Sequence, residues 1–405
     1  MTSSGPEGGI DLGCPASVVD PAGYFGPWLE AGDVHRSGAQ RGWAVIGHAA
    51  VADVFRDAEG VSADRVTTLE RVARSRPAAF GAVVEVLSSW MIFRDPPEHT
   101  RLRAPVRGAF TNRRVAALAP LVDEIADQAV DELLACADDG VADLTAHVAR
   151  PVPALVIGAL LGVEPEDRPR LQGWSDQLAA IVFSLTPSAP LPAGVVEAAE
   201  AFRAFFGELT ASARPGDGSL VGDIIAIDPG FDRAELVSMA TMLLFAGHET
   251  TTSLIQNLSA TLLERPELER RVRHAPELHA PFVEEVLRTQ GPARTMVRKA
   301  LRPQELGGHE VAEGDVLYLS IAAANHDPRV FEEPATFDPA REPNHHLSFG
   351  WGLHHCLGAR LARAETVAVL RRLLDRLPAL RPAGDVPPLQ GATMGFHRGP
   401  VRLAV

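Results

Sequence analysis

Phe349-Gly350-Trp351-Gly352-Leu353-His354-His355-Cys356-Leu357-Gly358 is the stretch on which the reading of this chain turns. Its cysteine lies between Gly352 and Gly358. Glycine has no Cβ, so backbone can approach closely there and leave peptide N–H groups free to point at the sulfur. Ala359–Leu377 follows with the pattern of a helix, whose N-terminal dipole favours negative charge and lowers the thiol pKa. The plainer alternative is a buried structural cysteine, as many free cysteines are.

Upstream, the clearest predicted helix begins at Asp232. Asp232 and Glu235 fit a capping box, with Phe231 and Leu236 as the hydrophobic staple. The pattern runs to Arg265, where Pro266 stops it. At ~1.5 Å per residue this is a rod of about 50 Å. It is apolar on nearly every face and should run through the core. In its middle stands Ala246-Gly247-His248-Glu249-Thr250-Thr251. A buried carboxylate is costly unless it has a partner or a role.

Leu118, Val122, Ile125, Ala129 and Leu133 recur at helical spacing, and Ala198–Arg214 places Phe202, Phe205 and Phe206 similarly. Leu185–Pro192 carries three prolines and reads as a loop. After Arg298 come the turn signals Gly307-Gly308 and Glu313-Gly314-Asp315, with Val316–Leu319 read as a strand beside them. The expected fold class is therefore mainly α with a smaller β portion.

The 405 residues carry a net charge of -14, which disfavours nucleic acid and anionic lipid as partners. Lys299 is the single lysine and follows Arg298 instead of glycine, so a phosphate-binding P-loop is excluded. His248-Glu249 begins like the zinc motif H-E-x-x-H, but Thr252 stands where the second histidine belongs. Three cysteines (Cys14, Cys136 and Cys356) do not make a disulfide framework and point to a reducing cytoplasm. Met1–Gly13 lacks the features of a signal peptide, and Pro151–Val163 and Met239–Gly247 are too short to span a bilayer. No internal repeat or long biased linker appears. The expectation is a soluble monomer with a disordered tail over 1–13 and one domain over 14–405.

The cysteine stretch satisfies F-x-x-G-x-x-x-C-x-G at every fixed position and resembles the haem-binding loop of the cytochrome P450 family. Phe282–Arg288 contains that family's E-x-x-R as Glu285 and Arg288, and Ala246–Thr250 matches its A-G-x-[DE]-T. The resemblance runs from about residue 20 to the end of the chain. It implies the P450 fold in a single domain and haem b with Cys356 as axial ligand, a thiolate that pushes electron density to iron and favours O–O cleavage. Glu285 and Arg288, three apart on one helix face, would be buried and tied to Phe337–Arg341. His99, Arg103, Arg298 and His354 match the family's propionate contacts, arginine and histidine being apt partners for anions. Ala246, Gly247, Phe349, Gly350 and Gly358 would complete the haem contacts, Gly247 by removing a side chain where the helix meets the haem.

Cleaving O2 consumes two protons. By the resemblance, the Thr250 hydroxyl would hydrogen-bond the oxygen and hold a water while Glu249 relays protons from solvent. A helix-interior threonine bonding back to its own chain is the alternative for Thr250. Family members that take hydrogen peroxide directly often lack this acid–alcohol pair, so its presence implies O2 and two electrons. The chain has neither a G-x-G-x-x-G fingerprint nor a fused cysteine-rich region, so a separate ferredoxin and ferredoxin reductase are expected. Arg103, Arg107, Arg113, Arg114, Arg360 and Arg363 would form the basic dock for an acidic ferredoxin.

Substrate contacts are expected from Val61–Phe93, Ile181–Val195, the long helix and Ala293–Val297. Phe80, Val84, Leu87, Trp90, Met91, Ile181, Phe183, Leu243 and Met296 are the candidates, apolar enough to suit a lipophilic small molecule. The arginine-for-lysine bias resembles actinobacterial chains, where such enzymes often tailor polyketides or terpenoids by hydroxylation or epoxidation. Desaturation and oxidative coupling remain open on the same machinery. A haem sensor or carrier would not need Glu249 and Thr250. A metal site from His345, His346, His354 and His355 is disfavoured, because adjacent residues of a strand point to opposite sides.

Overall fold

The computed structural model describes residues 9–405 apart from 76, 183–190, 229 and 392–394. Helices dominate, and those that build the site are α1 (Glu98–Ala109), α2 (Ala119–Ala135), α3 (Pro151–Leu161), α4 (Arg168–Val182), α5 (Val195–Ser212), α6 (Arg233–Glu264), α7 (His279–Gln290) and α8 (Ala359–Arg376). α6 is the central rod. The Asp232 carboxylate accepts from the Glu235 amide at 2.8 Å and the Glu235 carboxylate accepts from the Asp232 amide at 3.1 Å, which is the expected capping box. Leu236, Met242, Leu254, Ile255 and Leu262 are buried on different sides of it. α3, α5, α7 and α8 all pack against it. Each such leucine stabilises the fold by roughly 1.5–3 kcal/mol, and a helix enclosed on all sides collects that gain all round. Pro266 ends α6 but also opens the next helix, Pro266–Arg273, at a position where its missing N–H costs nothing.

α2 buries Val122, Ile125, Ala129 and Leu133 and packs on α8, and α5 buries Phe202 and Phe206 with their rings 5.8 Å apart. These follow the expected apolar faces. The expected loop Leu185–Pro192 lies outside the described residues except for Leu191 and Pro192.

The largest sheet among the described residues has five strands, β1 (Val34–Ser37), β2 (Gly42–Val45), β3 (Val61–Ser62), β4 (Thr295–Ala300) and β5 (Val316–Ser320). Its order is β1-β2-β5-β4-β3, with β2 and β5 parallel and β4 antiparallel to β5. The pairing of Arg298 with Leu317 fixes where the Arg298 side chain emerges.

Residues 9–13 depart from the expected mobile tail. Ile10 and Leu12 are 1% exposed and pack with Phe25, Trp28 and Ile46. The Ser37 hydroxyl donates to the Ile10 carbonyl at 2.8 Å and the Leu12 amide donates to Gln40 at 3.2 Å. Two apolar side chains and local hydrogen bonds suffice to order a short glycine-containing stretch. Among the described residues, no helix is long and apolar enough to cross a membrane.

Candidate active site

Cys356 is placed by a tightly closed loop. Gly350 and Gly352 both have φ +67°, a left-handed conformation that favours glycine. A Cβ at Gly352 would lie 2.5 Å from the Phe55 carbonyl oxygen, so this position has no room for a side chain. The Cys356 amide donates to the Phe349 carbonyl at 2.9 Å, and Arg103 donates to the His355 carbonyl. The amides of Gly358 and Ala359, at the start of α8, hydrogen-bond the sulfur. Burial raises the Cys356 thiol pKa, and these amides together with Arg103 and Arg363 work against that rise. Cys356 is nevertheless solvent-accessible.

The segment that leads into the loop is held by the Glu285–Arg288 pair, which is fully buried. Arg288 donates to both Glu285 oxygens at 2.8 and 2.7 Å, and to the carbonyls of Asn325, Pro334 and Thr336. Glu285 also accepts from the Asp338 amide at 3.0 Å, Arg341 at 3.1 Å and Asn344 at 3.1 Å. The expected tie to Phe337–Arg341 is thus present and extends to Asn325 and Asn344, which no motif marked. Every polar atom of such a pair needs a partner, because either charge left alone in the interior would cost several kcal/mol. Glu284, one position earlier, faces elsewhere: it accepts from Arg363 at 2.6 and 2.8 Å and pairs with His346 at 3.0 Å. Burial alone would raise the Glu284 carboxyl, but those partners outweigh it and hold it at about 2.

His99, Arg103, Arg298 and His354 come together. The His99 and His354 rings are 4.3 Å apart. Burial and then the charges of Arg103 and Arg298 push His99 down to about 4. Burial, then Arg298, His99 and Arg103, push His354 to about 2. Burial lowers Arg298 to about 10. Both ring nitrogens of the buried His99 lack a hydrogen-bond partner among the described residues. The nearby carboxylate, Asp95, is engaged by the Ser62 hydroxyl and the Ala63 amide. A cluster of basic groups depressing one another beside a cysteine sulfur fits a ligand that carries carboxylates next to a thiophilic metal, as haem does.

On α6 the polar groups are arranged differently. Ala246 is exposed in the middle of an otherwise buried helix, so α6 borders open space there. A Cβ on Gly247 would meet Ile157 of α3 at 3.0 Å. Ile157 thus gives a packing reason for a glycine at this position, beside the expected cofactor contact. The Thr250 hydroxyl donates to the Ala246 carbonyl at 2.9 Å, leaving its oxygen lone pairs as acceptors. Burial, then the hydrogen bond and charge of Asp176, push the Glu249 carboxyl up to about 8. Arg150, at the N-cap of α3, lies 3.4 Å from Asp176. His248 is 2% exposed and both its nitrogens lack a hydrogen-bond partner. Sequence reasoning missed Asp176 and Arg150. They belong to no motif and meet Glu249 only through the packing of α3 and α4 on α6.

Among the substrate candidates, Phe80, Leu87, Trp90, Met91 and Leu243 are buried in the main core, while Val84 and Met296 are half-buried. Trp90 packs on Phe93 and Phe245 at 5.9 and 5.2 Å. The Ile181 side chain and Phe183 lie outside the described residues. Of the six arginines, Arg114 pairs with Asp223 and Arg363 with Glu284, and Arg103 turns onto the cysteine loop, so those three are occupied.

Comparison with known proteins agrees with this arrangement. The family model described as Cytochrome P450 matches residues 224–405. Mycinamicin IV hydroxylase/epoxidase of Micromonospora griseorubida is 35% identical, covering 95% of each chain. Cytochrome P450 monooxygenase PikC of Streptomyces venezuelae is 36% identical over 94% of this chain and 89% of its own. A myxobacterial cytochrome P450 solved with myristic acid superposes with a TM-score of 0.85 at 32% identity, covering 97% of this chain and 98% of the other. The chain belongs to the cytochrome P450 family. It is a P450 monooxygenase, an enzyme class that binds haem iron through a cysteine thiolate.

Proposed function

We propose that this chain uses O2 and two electrons from a ferredoxin to hydroxylate or epoxidise a lipophilic small molecule, with Cys356 as the axial thiolate of haem b. The observation that carries the assignment of the ligand is the cradle at Cys356: two amides at a helix start aimed at an accessible sulfur. His99, Arg103, Arg298 and His354 would hold the haem propionates. Bound haem supplies activation of O2 and transfer of one oxygen atom to substrate.

Glu249, with its carboxyl pushed up to about 8, is protonated at neutral pH and can give a proton. Asp176 and the half-exposed Arg150 link it toward solvent. Thr250, whose hydroxyl is bonded to the Ala246 carbonyl, would accept a hydrogen bond from a water in the open space there and so position it to carry that proton. Val84, Met296 and the apolar neighbours Phe80, Leu87, Trp90, Met91 and Leu243 bias the site toward lipophilic ligands. The similarity to a Mycinamicin IV hydroxylase/epoxidase and to a P450 solved with myristic acid supports that class. Exposed Arg107, Arg113 and Arg360, with no ion pair among the described residues, form the ferredoxin dock.

The test is a carbon monoxide difference spectrum of the reduced protein and of Cys356→Ser. The wild type should give the red-shifted Soret band of thiolate ligation, and the variant should lose it. A spectrum unchanged by the substitution refutes Cys356 as ligand.

A further inference from the structure

We propose that Asp176, His248 and Glu249 form a binding site for one divalent transition-metal ion of the zinc class, where α4 packs on α6. One imidazole and two carboxylates are a ligand set that zinc-class ions take. The three candidate ligand atoms lie within 4.8 Å of one another. A tetrahedral site with bonds of about 2.1 Å has ligand–ligand edges of about 3.4 Å, so small side-chain rotations close the three donors on an ion. A water molecule would complete the four-coordinate shell.

Two further observations point the same way. His248 is 2% exposed, and among the described residues neither ring nitrogen has a hydrogen-bond partner, although Nδ1 stands 3.4 Å from a Glu249 oxygen that is itself buried and without one there. Buried polar atoms are rarely left so, and a buried imidazole with two bare nitrogens is a ready ligand. The charges also fit. Asp176 and Glu249 face each other, with Arg150 at 3.4 Å from Asp176 as the nearby cation. A divalent ion balances two carboxylates without help. The Asp176 and Glu249 side chains are 33% and 21% exposed, so an ion has a way in.

Resting on the proton-relay reading above, the consequence is inhibition: an ion on Glu249 takes that carboxylate out of proton delivery. Binding is separable from that consequence. The haem-loaded enzyme is titrated with zinc chloride by calorimetry, retained zinc is counted after gel filtration, and the zinc K-edge is recorded. We expect one zinc per chain, a shell of N and O donors at about 2.0–2.2 Å, and affinity at least about tenfold weaker in Asp176→Asn and His248→Gln. Cys136→Ser, which removes a donor from the surface group Glu132, Cys136 and His147, should bind zinc as the wild type does. Asp176→Asn changes a partly exposed side chain and serves if His248→Gln fails to fold. No binding up to millimolar zinc, binding that both variants leave intact, or a sulfur shell near about 2.3 Å overturns the site. Zinc bound as expected without loss of product formation overturns the relay reading and leaves the site standing.

Discussion

In the Glu285–Arg288 network the charged groups are fully satisfied: Glu285 accepts from four residues and Arg288 reaches three carbonyls, while amides close on the Cys356 sulfur. Around Glu249 the opposite holds, since His248, one Glu249 oxygen and the Thr252 hydroxyl are buried without partners. The same α6 that carries these bare groups is otherwise a well-packed rod. The contrast separates two jobs. Satisfied buried groups fix geometry, while unsatisfied ones cost stability and are kept where a ligand, water or proton is to be handled.

That contrast can be broken most sharply at Glu285. Glu285→Ala leaves Arg288 charged in the interior and should cost about 3–5 kcal/mol of unfolding free energy, read from denaturant midpoints, whereas Glu285→Gln keeps some of the hydrogen bonds and should cost less. A loss near that of an exposed pair, under about 1 kcal/mol, would mean the cysteine loop is not anchored there. On the distal side, Glu249→Gln and Thr250→Ala should fold normally and keep the carbon monoxide spectrum. Their O2-driven product formation should fall on the order of 10²-fold while reductant is still consumed. Equal coupling in variant and wild type would remove Glu249 from proton delivery.

A smaller effect concerns acid. Glu284 is held at about 2 against an ordinary 4.5, so the folded state binds fewer protons than the unfolded chain between those values. Its contribution to stability is full above 4.5 and is lost as pH falls toward about 2. Thermal melts across that range should show a weaker acid dependence in Glu284→Gln, and parallel curves would show that Arg363 and His346 do not hold it. The least effect is expected at the surface. Reversing Arg107, Arg113 and Arg360 to Glu should raise the KM for ferredoxin several-fold at low salt, leave peroxide-driven turnover alone, and fade as salt is added. Equal loss in both assays would rule out docking there.

The local pattern of the chain was enough for the cysteine loop and the capping box at Asp232, while the pairing of Arg288 with Glu285, for which Glu284 stood equally well placed, came from the family resemblance. The first two depend on residues within ten positions of one another, where backbone geometry and helix spacing decide who meets whom. It was also enough for the mainly α class, because the apolar periodicity of α2, α5 and α6 survives packing intact. Tertiary structure decided the rest. Ile157 lies where a Cβ of Gly247 would, Arg114 and Arg363 are tied to Asp223 and Glu284, and Ile10 and Leu12 pack with Phe25 and Trp28. Asp176 came to Glu249 from a helix some seventy residues earlier. Such contacts depend on how helices cross, and crossing is set by the summed fit of many side chains, so no single motif in the sequence announces it.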